Sequence, residues 1–342
     1  MRVILTGCTG FLGGHLVEAF QQQGHSVAGI TRSNSSAKAP FLADIELFEA
    51  SLHDRPRLQQ AMERADIVVH AAAKVHTHGL WREFVEGTID TTRDVLCAAI
   101  NAGVPRFVQI STVGVYGFPS GRNNKPFHET DAYGAIHRWN YYSRAKAEAE
   151  KIVFAAHQTG RIAVTAIRPT LMYGPRDSTM FDRIVAALRK RRMKWIGDGQ
   201  NKLSLVHVSD AAKAIVLAAT SPRATGKAYN VAADEVSPTQ REFIVRICEL
   251  MDLPLPTSTV PYSVAYAMGF AGEGIAHLSR YRVCPPVTRL TVLLFGGSRR
   301  FSSDSIRTEL GWQPAIPFEE GILQTTEWYR QWRSAPTSVH SV

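Results

Sequence analysis

The start of the chain constrains the fold more than any other part of the sequence. Residues 2–5 form a short apolar run that includes β-branched side chains, which predicts a buried strand. A glycine segment with the spacing G-x-x-G-x-x-G follows, and helically spaced apolar residues begin at Leu12. Because glycines let the backbone turn sharply and approach a pyrophosphate, the phosphate can sit on free N–H groups at the positive end of that helix. We therefore predict a dinucleotide site formed by Gly7, Thr9, Gly10, Phe11, Leu12 and Gly13.

Apolar runs alternate with helical patterns along the chain, which is typical of βαβ units. Predicted strands are 2–6, 26–31, 46–50, 67–71, 106–111 and 163–168, and predicted helices lie near 12–23, 54–64, 82–102, 137–159 and 177–192. The pattern predicts an α/β fold with a Rossmann-type, doubly wound parallel sheet and a smaller, interleaved C-terminal α/β domain. We expect a dinucleotide-binding domain from 1–170 plus 206–232, a substrate domain from 171–205 and 235–330, and a flexible tail at 331–342.

Length and cysteine content agree with this interpretation. At ~150 residues per domain, 342 residues predict about two domains, and 45% hydrophobic residues suffice for a large core. The four cysteines, at positions 8, 97, 248 and 284, show no metal or redox spacing, which indicates reduced thiols and no metal site. The chain begins directly on a strand without a signal peptide, and no apolar run approaches the ~20 residues that span a bilayer. We therefore expect a cytoplasmic protein without a transmembrane segment.

The net charge of +9 is moderate for a chain of this size. It suits anionic cofactors or membrane surfaces, and the sequence lacks the motifs that indicate nucleic-acid binding. The basic run 189–194 could hold a phosphate, a CoA tail or anionic lipid. The alternative is the solvated end of a helix, where positive charges complement the helix dipole.

A tyrosine and a lysine four residues apart, Tyr142 and Lys146, are the strongest candidates for chemistry. Positions four apart lie on one face of a helix, so the phenol and the ammonium are neighbours. A nearby positive charge favours phenolate, which predicts a lowered pKa for Tyr142. A tyrosine tuned in this way can exchange a proton with a substrate oxygen as general acid or base. Taken alone, the spacing is also compatible with a solvated helix face.

Adjacent hydroxyls, Ser111 and Thr112, follow the predicted strand 106–111. At the carboxyl edge of a parallel sheet they would stand where ligands bind in open α/β folds. A hydroxyl there can hydrogen-bond a carbonyl oxygen and share the substrate with Tyr142. The alternative is plain turn chemistry.

Together these segments resemble the extended short-chain dehydrogenase/reductase superfamily, which includes the NAD-dependent epimerases and dehydratases. The resemblance runs from the glycine turn through the hydroxyl pair and the tyrosine–lysine pair to the C-terminal region. Its further motifs are residues 69–73 (VHAAA), 115–117 (VYG), 168–169 (RP), 173–175 (YGP), 206–210 (VHVSD), 229–231 (YNV) and 310–314 (LGWQP).

The resemblance implies a role for each candidate. Tyr142 would donate or remove the proton at the substrate oxygen, and Lys146 would lower its pKa and bind the nicotinamide ribose. Thr112 aligns with the catalytic serine of the family, with Ser111 one step earlier. Thr88 stands where family members often have an asparagine. Ala71, Ala72, Ala73 and Pro169 would line the cofactor, and the helices at 82–102 and 137–159 would form a homodimer.

The choice between NADP(H) and NAD(H) depends on the end of the second predicted strand. An acidic side chain there would bind the ribose 2′-hydroxyl and select NAD. This sequence has Thr31 at that position and Arg32 after it, and an arginine can clamp a 2′-phosphate with a fork of donors. We therefore predict NADP(H), with NAD(H) possible if Arg32 only stacks beneath the adenine. Ser51 and Leu52, after the third strand, are expected near the adenine.

The substrate is indicated by an apolar stretch from residue 260 to about 278, followed by apolar residues at 290–295. This arrangement is similar to the 3β-hydroxysteroid and sterol dehydrogenase branch of the superfamily. It implies a small-molecule substrate that is a bulky apolar alcohol or ketone, steroid-like or a long-chain β-keto compound, and a peripheral membrane contact. The alternative for the stretch is core or dimer packing.

Two other functions stay open at this point. The first is a sugar-nucleotide epimerase or dehydratase, which uses the same catalytic residues with tightly held NAD. The second is a redox sensor that binds NADP without turnover. A sensor has no need of a proton donor, so the presence of Thr112, Tyr142 and Lys146 favours an enzyme.

Overall fold

The computed structural model describes residues 1–32, 40–118, 125–233 and 237–334. Its strands are β1 Arg2–Thr6, β2 Ser26–Thr31, β3 Glu46–Glu49, β4 Ile67–His70, β5 Arg106–Ile110, β6 Ala163–Pro169, β7 Leu171–Tyr173, β8 Trp195–Ile196, β9 Leu205–His207, β10 Ala228–Val231 and β11 Thr259–Val260. Within the described residues, seven of them form one parallel sheet in the order β10-β6-β5-β4-β1-β2-β3. The strand order reverses between β1 and β4, where open α/β sheets bind ligands. The predicted doubly wound α/β class is confirmed.

The described helices surround this sheet and the short strands beyond it. They are α1 Phe11–Gln22, α2 Arg55–Ala61, α3 Trp81–Phe84, α4 Thr91–Asn101, α5 Tyr141–Gln158, α6 Met180–Arg189, α7 Val208–Thr220, α8 Gln240–Met251, α9 Tyr262–Leu278, α10 Arg289–Phe295, α11 Asp304–Leu310 and α12 Phe318–Ser334. A π-helical turn, Val85–Asp90, joins α3 to α4. None of the helices in the described ranges is both long and apolar enough to span a membrane.

Side chains alternate along each strand, so each strand sends apolar residues to both faces of the sheet, and helices bury both faces. In β1, Val3 and Leu5 point to the face covered by α1 and α7. Ile4 points to the opposite face, where it packs with side chains of α2, α4 and α5. These two layers hold the carboxyl ends of the strands in fixed positions, and the candidate residues lie at those ends.

The six predicted strands are all present, with ends that differ by at most one residue. Two predicted helices begin three or four residues later than expected, and at each start an upstream side chain accepts a hydrogen bond from a backbone N–H of the first turn. The Asn140 amide oxygen accepts from the Ser143 N–H (3.2 Å), so α5 begins at Tyr141. Asp177 accepts from the Met180 N–H (2.9 Å), and α6 begins at that residue.

The predicted helix at 82–102 is interrupted by the π-helical turn. The Gly87 carbonyl accepts from the backbone N–H of Lys74 (3.1 Å), which lies outside the helix. The Thr88 carbonyl accepts from the hydroxyls of Thr91 (3.2 Å) and Thr92 (2.7 Å). Because the Gly87 and Thr88 carbonyls accept hydrogen bonds from these other donors, the helix widens into a π-helical turn here.

Elements from the C-terminal half pack beyond the large sheet. The short strands pair as β7 with β9 and β8 with β11, and α6, α8 and α12 share a core that contains Phe181, Phe243 and Tyr329. Ile306 and Trp312 fall in the range predicted for the substrate domain, but they pack in the core on the α7 side of the large sheet. The domain boundaries themselves stay a prediction.

The prediction of a flexible tail from residue 331 is wrong for its first four residues. Helix α12 continues to Ser334. It does so because Trp332 stacks on Trp328 one turn earlier, with ring centroids 5.5 Å apart. Residues 335–342 lie outside the described residues.

Candidate active site

The glycine turn after β1 is packed so closely that only glycine fits at two of its positions. Gly7 has φ +73°, and a Cβ added there would lie 2.8 Å from the Ala72 backbone nitrogen. A Cβ at Gly13 would lie 2.0 Å from the Gly7 carbonyl oxygen. The Gly10 N–H donates to that same oxygen (3.0 Å), and α1 begins at the next residue, Phe11. The backbone N–H groups of the first helical turn therefore stand at the sheet edge, as a phosphate site requires.

Beside this turn, a buried threonine–histidine pair ties the ends of β1 and β4 together. The Thr6 hydroxyl lies 2.7 Å from His70 Nδ1 and accepts from the Ala72 N–H (3.3 Å). Burial lowers the pKa of His70 to about 3, so its imidazole is neutral. These bonds hold the alanine segment beside Gly7, and its residues Ala71, Ala72 and Ala73 are half-buried.

The hydroxyl, phenol and ammonium predicted for catalysis converge at the carboxyl end of β5. The Thr112 hydroxyl accepts from the Gly114 N–H (3.1 Å) and is close enough to Tyr142 to lower the pKa of its phenol. Lys146 lies one turn further along α5, and its Nζ donates to the Ile110 carbonyl (2.7 Å). Of the two hydroxyls after β5, Thr112 is the one that meets Tyr142.

Ser111 points elsewhere. Its backbone N–H donates to the Ile167 carbonyl of β6 (2.7 Å). Its hydroxyl is buried and has no hydrogen-bond partner within the described residues. The same is true of His70 Nε2, on the neighbouring strand β4. Two buried polar atoms without partners at one sheet edge are what a site for a polar ligand would present.

The predicted direction of the Tyr142 pKa is wrong. Burial raises this pKa, and the Thr112 hydroxyl opposes the rise only in part. Lys146 is not among the groups that lower the pKa of Tyr142, and its Nζ donates to the Ile110 carbonyl. At neutral pH Tyr142 is therefore a phenol, which is the form that donates a proton.

Lys146 is itself buried, and burial lowers its pKa to about 8, while the negative charge of Glu150 one turn later opposes this shift. A lysine with this pKa is still mostly an ammonium at pH 7 and loses its charge as the pH rises through about 8.

A buried ion-pair network lies behind Lys146. Arg168 of β6 donates from Nε to a carboxylate oxygen of Glu150 (3.1 Å) and from its guanidinium to the Tyr116 hydroxyl (2.8 Å). The Tyr133 hydroxyl donates to the same carboxylate (2.9 Å), and the Tyr116 hydroxyl donates to Asn230 of β10 (2.8 Å). The arginine and the glutamate are both almost fully buried. The network joins α5 to two strands of the sheet and so holds the helix that carries Tyr142 and Lys146.

Tyr142 lies beside an apolar wall. Tyr142 packs against a core cluster with Trp139, Leu290 of α10 and Tyr266 of α9. The rings of Trp139 and Tyr266 meet edge to face, with centroids 6.2 Å apart. The predicted apolar stretch therefore does reach the candidate catalytic tyrosine.

The residues predicted to distinguish NADP(H) from NAD(H) follow β2 and β3, at the end of the sheet edge that lies away from Tyr142. Arg32 directly follows β2 and is exposed, and Ser51 follows β3 and accepts from the His53 N–H (3.3 Å). Leu52 packs into the core under α2 instead of facing solvent. From β5 to β3 there are four strand spacings of about 4.8 Å, or roughly 19 Å. Pro169 is buried at the end of β6, opposite Val231 of β10.

Sequence reasoning did not find the pairs Thr6–His70 and Glu150–Arg168. A histidine within an apolar strand and a glutamate one turn after Lys146 are visible in the sequence, but neither reveals its partner. Thr88, noted as a departure from the family, accepts from the Lys74 N–H through its hydroxyl (3.1 Å). It therefore holds the loop that follows the alanine segment.

Comparison with known proteins agrees with this geometry. The sequence model of the NAD dependent epimerase/dehydratase family matches residues 3–232. A ketoreductase of Stigmatella aurantiaca, described as acting on a 4-hydroxy-2-methyl-3-oxo-4-farnesyl-3,4-dihydroquinoline-1-oxide, is 26% identical over 324 residues, which cover 94% of this chain and 95% of that protein. A 2-alkyl-3-oxoalkanoate reductase of Stenotrophomonas maltophilia is 28% identical over 329 residues, covering 94% and 97%.

A third relative and a solved structure complete the comparison. The decarboxylating sterol-4-alpha-carboxylate 3-dehydrogenase of Dictyostelium discoideum is 32% identical over 222 residues, covering 64% of this chain and 67% of that protein. The crystal structure of a dTDP-glucose 4,6-dehydratase from Streptomyces venezuelae with NAD bound has a TM-score of 0.75 at 22% identity, covering 97% of this chain and 98% of the other. At that identity the likeness concerns the fold alone.

Proposed function

Because the chain belongs to the NAD-dependent epimerase/dehydratase family of extended short-chain dehydrogenases/reductases, we propose that it interconverts a secondary alcohol and a ketone on a bulky apolar substrate. One observation carries this proposal: the buried Tyr142 phenol is affected by the Thr112 hydroxyl at the carboxyl end of β5, and its ring packs against the apolar cluster that contains Leu290 of α10. A proton donor in that position would meet the carbonyl oxygen of an apolar ketone held against this cluster, with the cofactor phosphates at the glycine turn.

In the direction of reduction, Tyr142 gives its proton to the substrate oxygen. Its raised pKa keeps it protonated until that oxygen becomes basic. Thr112 orients the phenol and can donate a second hydrogen bond to the same oxygen. Lys146, still charged at pH 7, would donate hydrogen bonds to the ribose hydroxyls of the cofactor. A bound nicotinamide cofactor supplies the hydride.

The residues of the glycine turn and of the sheet edge beside it fit such a cofactor. Side chains at Gly7 and Gly13 would collide with the backbone of Ala72 and of Gly7, so the tight turn that leads into the first N–H groups of α1 requires glycine at both positions, and the buried hydroxyl of Ser111 has no partner within the described residues. We assign the phosphates to the glycine turn and the nicotinamide end to the region between the alanine segment and Pro169.

The apolar wall and the relatives support the substrate class. A side wall that contains Trp139, Tyr266 and Leu290 favours rings or long alkyl chains over sugars. The named relatives act on a farnesylated quinoline, a 2-alkyl-3-oxoalkanoate and a sterol carboxylate. We therefore propose a steroid-like or long-chain β-keto compound as the substrate of this chain.

The proposal is tested by following NADPH and NADH oxidation by absorbance with long-chain β-keto, steroid and sugar-nucleotide substrates. We expect turnover with an apolar ketone. Turnover with sugar nucleotides only, or NAD retained through purification, would instead support the epimerase or dehydratase alternative.

Arg32 is the proposed selector for NADP(H), because it is exposed directly after β2 where a 2′-phosphate would lie. Arg32→Ala should raise KM for NADPH about 10- to 100-fold, the loss of a charge-assisted hydrogen bond worth about 1.5–3 kcal/mol, and leave KM for NADH nearly unchanged. Arg57→Ala, at an exposed arginine on α2, is the matched control and should change neither constant. An equal rise in KM for NADPH and for NADH in the Arg32→Ala variant would show that Arg32 only stacks beneath the adenine.

A further inference from the structure

Two histidines lie on the loop that leaves the sheet edge after the alanine segment, residues 74–80. The rings of His76 and His78 have centroids 6.0 Å apart. The loop is held at its start, where the Lys74 N–H donates to the Gly87 carbonyl and to the Thr88 hydroxyl, both at 3.1 Å. The proton transfer proposed for Tyr142 uses neither imidazole, so the two histidines are free to serve another purpose.

The same loop leads to the surroundings of Tyr142. It ends at Trp81, the first residue of α3, whose ring centroid lies 5.6 Å from that of Tyr141. Trp81 and Tyr142 pack against the same small apolar cluster. His78 also stacks on Tyr281, which follows α9, with ring centroids 6.0 Å apart. The loop therefore spans the distance from the alanine segment to the residues that surround Tyr142.

Positive charges face the two histidines from the loop itself and from α6. Burial lowers the pKa of both imidazoles, and the charges of Lys74 and Arg183 lower it further. The carboxylates near His78 are already engaged, since Glu83 pairs with Lys74 (3.3 Å) and Glu273 with Arg289 (2.6 Å). Arg183 is exposed on α6 and forms no ion pair in the part of the chain that the structure describes. This guanidinium is therefore available to an anion.

One nitrogen of the loop lacks a partner as well. His78 Nδ1 is buried and has no hydrogen-bond partner within the described residues. A buried polar atom of this kind calls for an explanation, and a ligand atom is one. An imidazole N–H supplies one donor, and a guanidinium adds a planar fork of donors that matches a carboxylate. Together the two side chains offer a site for an anionic group beside an otherwise apolar substrate region.

We propose that His78 and Arg183 bind a carboxylate of the substrate, so that the chain reduces an apolar keto acid in preference to its uncharged analogues. The apolar part of such a substrate would lie against the wall formed by Trp139, Tyr266 and Leu290, and its ketone would meet Tyr142. This inference rests on the proposed function, because it adds a charge requirement to the same substrate class. It assigns His78 and Arg183 to substrate specificity and not to proton transfer.

The test compares a 2-alkyl-3-oxo fatty acid with its methyl ester, each reduced with NADPH. In the unchanged chain we expect a KM about 10- to 100-fold lower for the acid, since only the acid offers a charged acceptor. His78→Phe keeps a ring that can stack on Tyr281 and removes both nitrogens. This variant and Arg183→Met should each raise KM for the acid about 10-fold or more and leave KM for the ester nearly unchanged.

Matched controls test the same surroundings without the proposed contacts. His277→Phe changes an exposed histidine whose ring meets Tyr281 from another side, with centroids 6.1 Å apart. Arg189→Met changes an exposed arginine at the end of α6. Both controls should keep the preference for the acid, and turnover of the ester shows that each variant is folded.

The outcomes separate this inference from the proposed function. Equal KM values for acid and ester in the unchanged chain would overturn the inference alone, and so would a preference for the acid that survives both His78→Phe and Arg183→Met. A matching rise in KM for NADPH in these variants would assign the two side chains to the cofactor instead. If neither acid nor ester were reduced, the proposed function itself would fail.

Discussion

Tyr142→Phe should lower kcat by about 10²- to 10⁴-fold and leave the affinity for NADPH nearly unchanged. The phenol is the group placed to pass a proton to the substrate oxygen, and general acid catalysis contributes rate factors of this size. The phenylalanine keeps the ring that packs against the apolar wall, so the fold should be unaffected. Steady-state turnover and fluorescence titration with NADPH measure the two effects separately.

The neighbouring tyrosine provides the control. Tyr141 begins the same helix, and its ring packs near Trp81 (5.6 Å between centroids) and Phe84 (6.0 Å). Tyr141→Phe keeps these contacts and should retain turnover. If Tyr142→Phe retained turnover as well, the proton would come from another group, and a protein that only senses NADP would become the better account.

Arg168→Met should lower the free energy of unfolding by about 3–5 kcal/mol. The substitution removes the partner of a fully buried carboxylate, Glu150, and an uncompensated buried charge costs about that much. The Tyr116 hydroxyl would lose a hydrogen bond at the same time. Urea denaturation followed by circular dichroism gives the difference in unfolding free energy.

Two further variants separate the charge from the packing. The double variant Glu150→Gln with Arg168→Met removes both charges and should recover a large part of the lost stability. Tyr116→Phe removes hydrogen bonds but no charge and should cost only about 1 kcal/mol per lost bond. A single Arg168→Met variant as stable as the unchanged chain would show that the buried pair is not what holds α5 to β6.

The fold and the positions of the candidate residues could be predicted because their signals are local. The β-branched run at 2–5, the glycines after it and the four-residue spacing of Tyr142 and Lys146 each act within one element and its neighbour. Parallel strands then place the residues after β1, β4 and β5 at one edge of the sheet, as observed.

The pKa of Tyr142 could not be predicted in the same way. Its direction depends on burial beside α9 and α10, elements that lie far along the chain. The π-helical turn likewise depends on a backbone N–H from the loop at Lys74. The apolar stretch of α9 left several interpretations open because only tertiary packing separates its buried side from its exposed one.

The most direct test of the proposed function is the fate of the hydride during reduction of a 2-alkyl-3-oxo fatty acid. With NADPH deuterated at the transferable position of C4, we expect a 3-hydroxy product that carries deuterium at the new carbinol carbon, detected by mass spectrometry. Tyr142→Phe should make the same labelled product far more slowly. An unlabelled product, or label transfer only when a sugar nucleotide is supplied, would contradict the assignment of this chain as a reductase of apolar ketones.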